Sequence, residues 1–173
     1  MLSITVAVIT ILITGLAVYT DIRWGKIFNY LTFPALLAGL AINSIGGGLD
    51  GAIWSLEGVA LGFALYIVSA LFGRILGGGD IKLLMALGAL QGPYFLAWAI
   101  FYTALVGAAL AIGVGLYRGV LGRRLRYLVA SIYLRLSQGV PMEMHETAGS
   151  PRLPYAIAIG LGSLVAMCVL RMG

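Results

Sequence analysis

The chain has 173 residues, 61% of them hydrophobic and 10% charged, with a mean hydropathy of +1.05. A soluble domain is about 25% charged, and a soluble fold of this length could not hide so much apolar surface, so a lipid bilayer is the expected solvent. The net charge of +5 gives no reason to invoke nucleic acid, because basic residues of membrane proteins collect in the loops on one side.

A crossing needs about 20 apolar residues, and six segments meet that requirement, the fourth marginally. They predict an all-α polytopic transmembrane helix bundle, a single membrane-embedded domain over 1–173. The first span, residues 2–20, has no basic leader and only a poor cleavage site at Ala17-Val18-Tyr19, so it reads as retained. The second, about 27–45, ends at Gly46-Gly47-Gly48, and the third, about 52–72, carries Glu57 as its one charge. The fourth, about 80–91, is short and closes at Gly92-Pro93; the fifth is 94–117 and the sixth about 153–170.

Arg23 and Lys26 follow the first span, Arg74 and Lys82 lie between the third and fourth, and six arginines from Arg118 to Arg152 lie between the fifth and sixth. The turns at 46–51 and 91–93 have no Lys or Arg. By the positive-inside rule the chain sits in the inner membrane with both termini outside. Residues 118–150 are too charged to span. Leu121, Leu125, Leu128, Ile132 and Leu136 recur at helical spacing beside arginines, which predicts a cytoplasmic interfacial helix on anionic lipid, then a loop through His145. Gly58 and Gly62 form a G-x-x-x-G pair of the kind that lets helices approach closely in lipid. One cysteine (Cys168) and one histidine leave little for a soft-metal site, and no metal or other cofactor is expected.

Among six acidic residues, Asp21 and Asp80 stand apart. The first span ends at Asp21 and the fourth begins at Asp80, so this topology puts both carboxylates at the cytoplasmic end of the bundle. Paired carboxylates share a proton; one then activates a water while the other hydrogen-bonds a scissile carbonyl. That is the chemistry of an aspartic peptidase. Asp80 lies at a helix N-terminus, which favours the anion, and Asp21 at a C-terminus, which favours the acid, so the shared proton is expected on Asp21. The plainer alternatives are an N-cap for Asp80 and a solvated boundary residue for Asp21.

Gly77-Gly78-Gly79-Asp80-Ile81-Lys82 matches the G-x-G-D-x-K pattern of the type IV prepilin peptidases, which belong to the G-x-G-D intramembrane aspartic proteases. Asp21-Ile22-Arg23 with Ile27-Phe28-Asn29 resembles that family's D-x-R and I-P-N elements, with Phe28 in place of proline, and Pro154-Tyr155-Ala156 resembles a third element. The resemblance implies an Asp21/Asp80 dyad, with Gly77, Gly78, Gly79, Lys82, Arg23, Asn29, Pro154 and Tyr155 shaping the site. It also implies a prepilin-like precursor (Flp-type pilin, pseudopilin or preflagellin) as the partner, cleaved at the cytoplasmic face. The paired Cys-x-x-Cys motifs of the bifunctional members are missing, so methyl transfer is not expected. The small peptidases of Flp/Tad pilus systems and the archaeal preflagellin peptidases are similar in form. A non-catalytic assembly scaffold, an ion or proton transporter and a homo-oligomeric state stay open.

Overall fold

The computed structural model describes residues 4–71, 76–117 and 155–172. These form four helices: α1 (Ile4–Trp24), α2 (Asn29–Leu71), α3 (Gly78–Tyr117) and α4 (Tyr155–Met172). The first three are long and apolar enough to cross a membrane, and α4 is a shorter apolar helix. The interfacial helix and loop expected within 118–150 lie outside the described residues. The chain divides into two compact units, Met1–Gly107 with Pro154–Gly173, and Ala108–Leu153. The described core and the candidate site lie in the first.

Four helices stand where six spans were expected, because two of them are kinked. A straight helix of 43 residues, the length of α2, would be about 65 Å long, twice the hydrocarbon thickness of about 30 Å. Gly48 (φ 60°, ψ −137°) breaks it, at a left-handed position that suits a residue without a Cβ. Beyond that break the chain turns back. The Ser55 hydroxyl lies 3.4 Å from the Gly39 carbonyl, whereas residues 16 apart in a straight helix would be about 24 Å apart. The arms 29–47 and 49–71 therefore lie side by side.

α3 is interrupted in the same way at Gly92 (φ 80°), followed by Pro93. A proline has no N–H, so the carbonyl four residues earlier loses its helical donor. That carbonyl belongs to Ala89. It accepts instead from the Ser55 hydroxyl at 2.7 Å and from Asn43 Nδ2 at 2.9 Å. Asn43 Nδ2 also reaches the Leu90 carbonyl at 3.2 Å. The two arms of α2 thus supply the hydrogen bonds that the break in α3 removes. The same amide reaches Ser55 Oγ at 2.8 Å, which ties the arms to each other.

The first arm of α3 (78–91) is the centre of the unit. Leu83, Leu84, Leu87 and Leu90 are all buried, against Val6, Ile13 and Ala17 of α1, Ala35 of α2 and Ile159 of α4. Small and weakly polar residues line the contacts, including Thr10, Thr14, Gly39, Ser55, Gly58 and Gly62. Large apolar side chains such as Leu12, Leu37, Ile53, Leu56 and Phe63 face outward. This arrangement reverses the soluble pattern and suits helices that associate through close backbone contact. Where α2 meets α3, Gly58 and Gly88 each leave no room for a Cβ beside the other's backbone. Gly62, the other half of the G-x-x-x-G pair, meets the backbone of Met85 in the same way.

Candidate active site

Asp21 occupies the last turn of α1. Gly25 (φ 62°) closes that helix, its N–H donating to the Asp21 carbonyl at 2.8 Å, the single-bond left-handed cap. α2 starts from Phe28, whose carbonyl accepts from the N–H of Leu31 at 3.1 Å and of Thr32 at 3.3 Å. Phe28 stacks on Tyr30 with ring centroids 5.0 Å apart and meets Trp24 edge-on at 5.8 Å. The bend between α1 and α2 is therefore held by a backbone cap and an aromatic run, with phenylalanine where the resembled pattern has proline.

The side chain of Asp21 reaches across the fold. Its Oδ2 accepts from the backbone N–H of Ala156 at 3.2 Å. Ala156 is the second residue of α4, and the first N–H groups of a helix have no partner within it. Asp21 thus ends one helix and caps another. This alters the expected asymmetry of the pair. Asp80 lies in the first turn of α3, so both carboxylates meet a helix N-terminus, and the helix-end argument for holding the shared proton on Asp21 falls away.

Asp80 is brought to the same place from the other side. Its carboxylate accepts from the backbone of Gly77 and lies within electrostatic range of Asp21, and Tyr155 lies within electrostatic range of Asp80. The Ile81 N–H donates to the Gly77 carbonyl at 3.2 Å, so Gly77 and Asp80 form one turn at the head of α3. The three glycines serve different ends. A Cβ on Gly77 would stand 2.8 Å from Asp80 Oδ2, and one on Gly79 would stand 3.1 Å from Ile27 Cβ, while Gly78 faces open space. Gly77 makes room for the carboxylate and Gly79 for the connection after α1.

Gly77→Ala is accordingly expected to displace the Asp80 carboxylate and lower activity by at least about 10-fold, roughly the cost of a slight misplacement of a reacting group. Gly15→Ala, on an exposed face of α1, should leave activity within about 2-fold, since its methyl meets nothing and alanine favours the helix. The rate of the precursor cleavage expected from the sequence, at matched protein levels, checks the contrast.

Two further residues singled out in the sequence are joined. Lys82 Nζ donates to Asn29 Oδ1 at 2.9 Å and sits 5.8 Å over the Phe33 ring. The contact links the start of α2 to the start of α3. Arg23 is exposed on the last turn of α1, and Tyr155, half-buried, opens α4. Pro154 lies outside the described residues. Sequence reasoning missed Gly25, although a glycine just past an apolar run is a recognised helix stop. It marked Pro154-Tyr155-Ala156 as an element but not the Ala156 N–H as the partner of Asp21, a backbone group with no side-chain signature.

The fold and the site define a helical membrane protein with an acidic centre built from the ends of separate helices. The chain belongs to the type IV leader peptidase family, which it matches over residues 7–112, a range that includes Asp21, Asp80, Asn29 and Lys82. It is similar to the prepilin leader peptidase/N-methyltransferases of Aeromonas hydrophila and Aeromonas salmonicida. Identity to each is 39% over 95 residues, covering 52% of this chain and 33% of the relative. The chain spans about a third of the length of these curated relatives. No solved structure matches it.

Proposed function

We propose that the chain is a membrane aspartic endopeptidase that removes the leader of prepilin-like precursors, with Asp21 and Asp80 as its catalytic pair. The observation that carries this reading is the convergence of the two carboxylates. They come from helices nearly sixty residues apart in a chain with few acids, inside the range that matches the leader peptidase family.

The chemistry follows from two acids that hold one proton between them. The ionised carboxylate takes a proton from a water, whose oxygen bonds to the scissile carbonyl carbon. The protonated carboxyl hydrogen-bonds the carbonyl oxygen as negative charge develops there. Collapse of the tetrahedral species breaks the C–N bond, and the leaving nitrogen takes a proton from a carboxyl. The new acid and amine carry the elements of water, and the pair returns to its starting charge. The Ala156 N–H and the Gly77 backbone hold the two carboxylates in place between turnovers. The relatives are named as N-methyltransferases too; the proposal for this chain is hydrolysis alone.

The topology in this reading has six crossings: α1, the two arms of α2, the two arms of α3, and α4. The basic residues Arg23, Lys26 and Lys82 fall at the Asp21 end, which supports a site on the cytoplasmic side and termini on the other. A precursor with a short basic leader and an apolar helix would enter laterally, and its helix must unwind at the cleaved bond because a helical amide is shielded by its own hydrogen bond.

Co-expression with a tagged prepilin tests the proposal. The expected result is a shift of the precursor to the leaderless form in membranes containing the chain. An unshifted band at verified levels of both proteins would overturn it.

A further inference from the structure

The second arm of α2 has two faces. Ser55, Gly58 and Gly62 are buried and meet α3. On the opposite face Ile53, Glu57, Ala60, Ala64, Ile67 and Leu71 are all exposed. These six follow one another at alternating steps of four and three residues, the a/d spacing of a left-handed helix pair. Glu57 stands about 13 Å along the arm from the Gly48 break, near the midplane of a hydrocarbon core about 30 Å thick. Among the described residues none pairs or hydrogen-bonds with it. Ionisable side chains inside a membrane face protein or a watery cavity, yet the packing of Gly58 on Gly88 turns Glu57 away from its own bundle.

We propose that a second copy of the chain docks on this face, forming a two-fold helix pair with Glu57 against its counterpart. The inference is independent of the peptidase reading. Two copies inserted the same way in one bilayer are related by an axis along its normal, so each residue meets residues of its own depth. An a/d seam is self-complementary about such an axis. Ala60 and Ala64, the next two residues of the seam, let the backbones approach closely, as helix pairs in lipid require. The carboxyl then selects the occupant. Among the described residues the cations Arg23, Lys26, Lys82 and Arg171 lie near or between helix ends. A second copy therefore brings to this depth no cation but another carboxyl. One carboxyl donates its O–H and the other accepts, so each finds a partner without water. One polar residue in an apolar seam also fixes its register.

The test uses the full chain in liposomes, with monomers and dimers counted by single-molecule photobleaching over a range of protein-to-lipid ratios. The wild type should pass from monomer to dimer as the ratio rises. Glu57→Leu, and separately Ala64→Leu, should raise the dissociation constant by about 10-fold or more, the scale of an interhelical contact in lipid. Both replacements add apolar surface to a lipid-facing position and leave the contact with α3 untouched. Glu57→Gln keeps a donor and an acceptor and should stay within about 3-fold of wild type. With the exposed Cys168 replaced by serine, Ala64→Cys should cross-link to its counterpart on oxidation, and Leu12→Cys, exposed on α1, should not. A wild type that stays monomeric, or a dimer equally strong in Glu57→Leu and Ala64→Leu, overturns the proposal. So does cross-linking of Leu12→Cys as readily as Ala64→Cys. Capture of Ala64→Cys by a co-reconstituted precursor helix in place of a second copy also overturns it, as does acyl-chain photolabelling of this face that is undiminished at high protein density.

Discussion

Asp21→Asn and Asp80→Asn are each expected to lower leader removal by about 10²–10⁴-fold, the range lost with a general acid or base, while the helices stay assembled. Asparagine is the informative replacement at both positions because it keeps an oxygen in place of the carboxylate. At 21 that oxygen still accepts from the Ala156 N–H, and at 80 from the Gly77 backbone. The ends of α1, α3 and α4 therefore keep their hydrogen bonds while the proposed acid–base function is removed. Asp21→Ala would remove both together and leave the Ala156 N–H without that acceptor, a cost of about 1 kcal/mol for a lost cap. The readout is precursor processing at matched expression, with size-exclusion profile and helix content as the measure of assembly. Wild-type cleavage by either asparagine variant would exclude the two-carboxylate mechanism. Proton flux in proteoliposomes, or pilus assembly supported by a chain lacking both acids, would then decide for a transporter or a scaffold.

Gly58→Leu should have the largest effect on the fold itself. A Cβ at this position would come within 2.9 Å of the Gly88 Cα and closer still to its carbonyl. The reciprocal Cβ on Gly88 would meet the Gly58 carbonyl carbon at 2.6 Å and Leu96 Cδ2 at 2.8 Å. Overpacking among side chains costs about 1–3 kcal/mol because side chains can rotate away. Here the obstacle is backbone on both sides, so the second arm of α2 must move off α3. The expected loss is about 3 kcal/mol or more, at the upper end of that range, seen as loss of the monodisperse species in detergent and of processing in membranes. Gly46→Ala is the matched control, since a Cβ there meets nothing, and it should retain both. A fully assembled Gly58→Leu chain would mean that the two arms do not touch at these glycines.

Much of this architecture could be read from the chain because lipid imposes simple rules. Apolar length marked the helices, and Gly46-Gly47-Gly48 and Gly92-Pro93 marked the places where α2 and α3 bend. Gly77-Gly78-Gly79-Asp80 marked the head of α3, because glycine before an aspartate that starts an apolar run is a local pattern. Contacts between distant segments leave no such pattern. Asp21 and Ala156 are 135 residues apart, and the donor is a main-chain N–H. The rule assigning each carboxylate the dipole of its own helix failed for the same reason: it took no account of a second helix ending against the first. The central place of the 78–91 arm was equally hidden. As the shortest apolar stretch it looked marginal, yet it needs little length because other helices, and not lipid, surround most of it. Asn43 and Ser55 looked like ordinary polar residues near a turn until their targets, the carbonyls of Ala89 and Leu90, were in view.

That last arrangement bears on how the protein is made. The interrupted backbone of α3 has no internal remedy for the Ala89 carbonyl, and lipid offers none. The groups that satisfy it are on α2, which leaves the ribosome first. Synthesis from the N-terminus therefore delivers the partner before the group in need, and α3 can partition out of the translocon onto a hairpin already waiting for it. Reversing that order, by supplying α3 ahead of α2 from split genes, sends the break into the bilayer with its carbonyl bare.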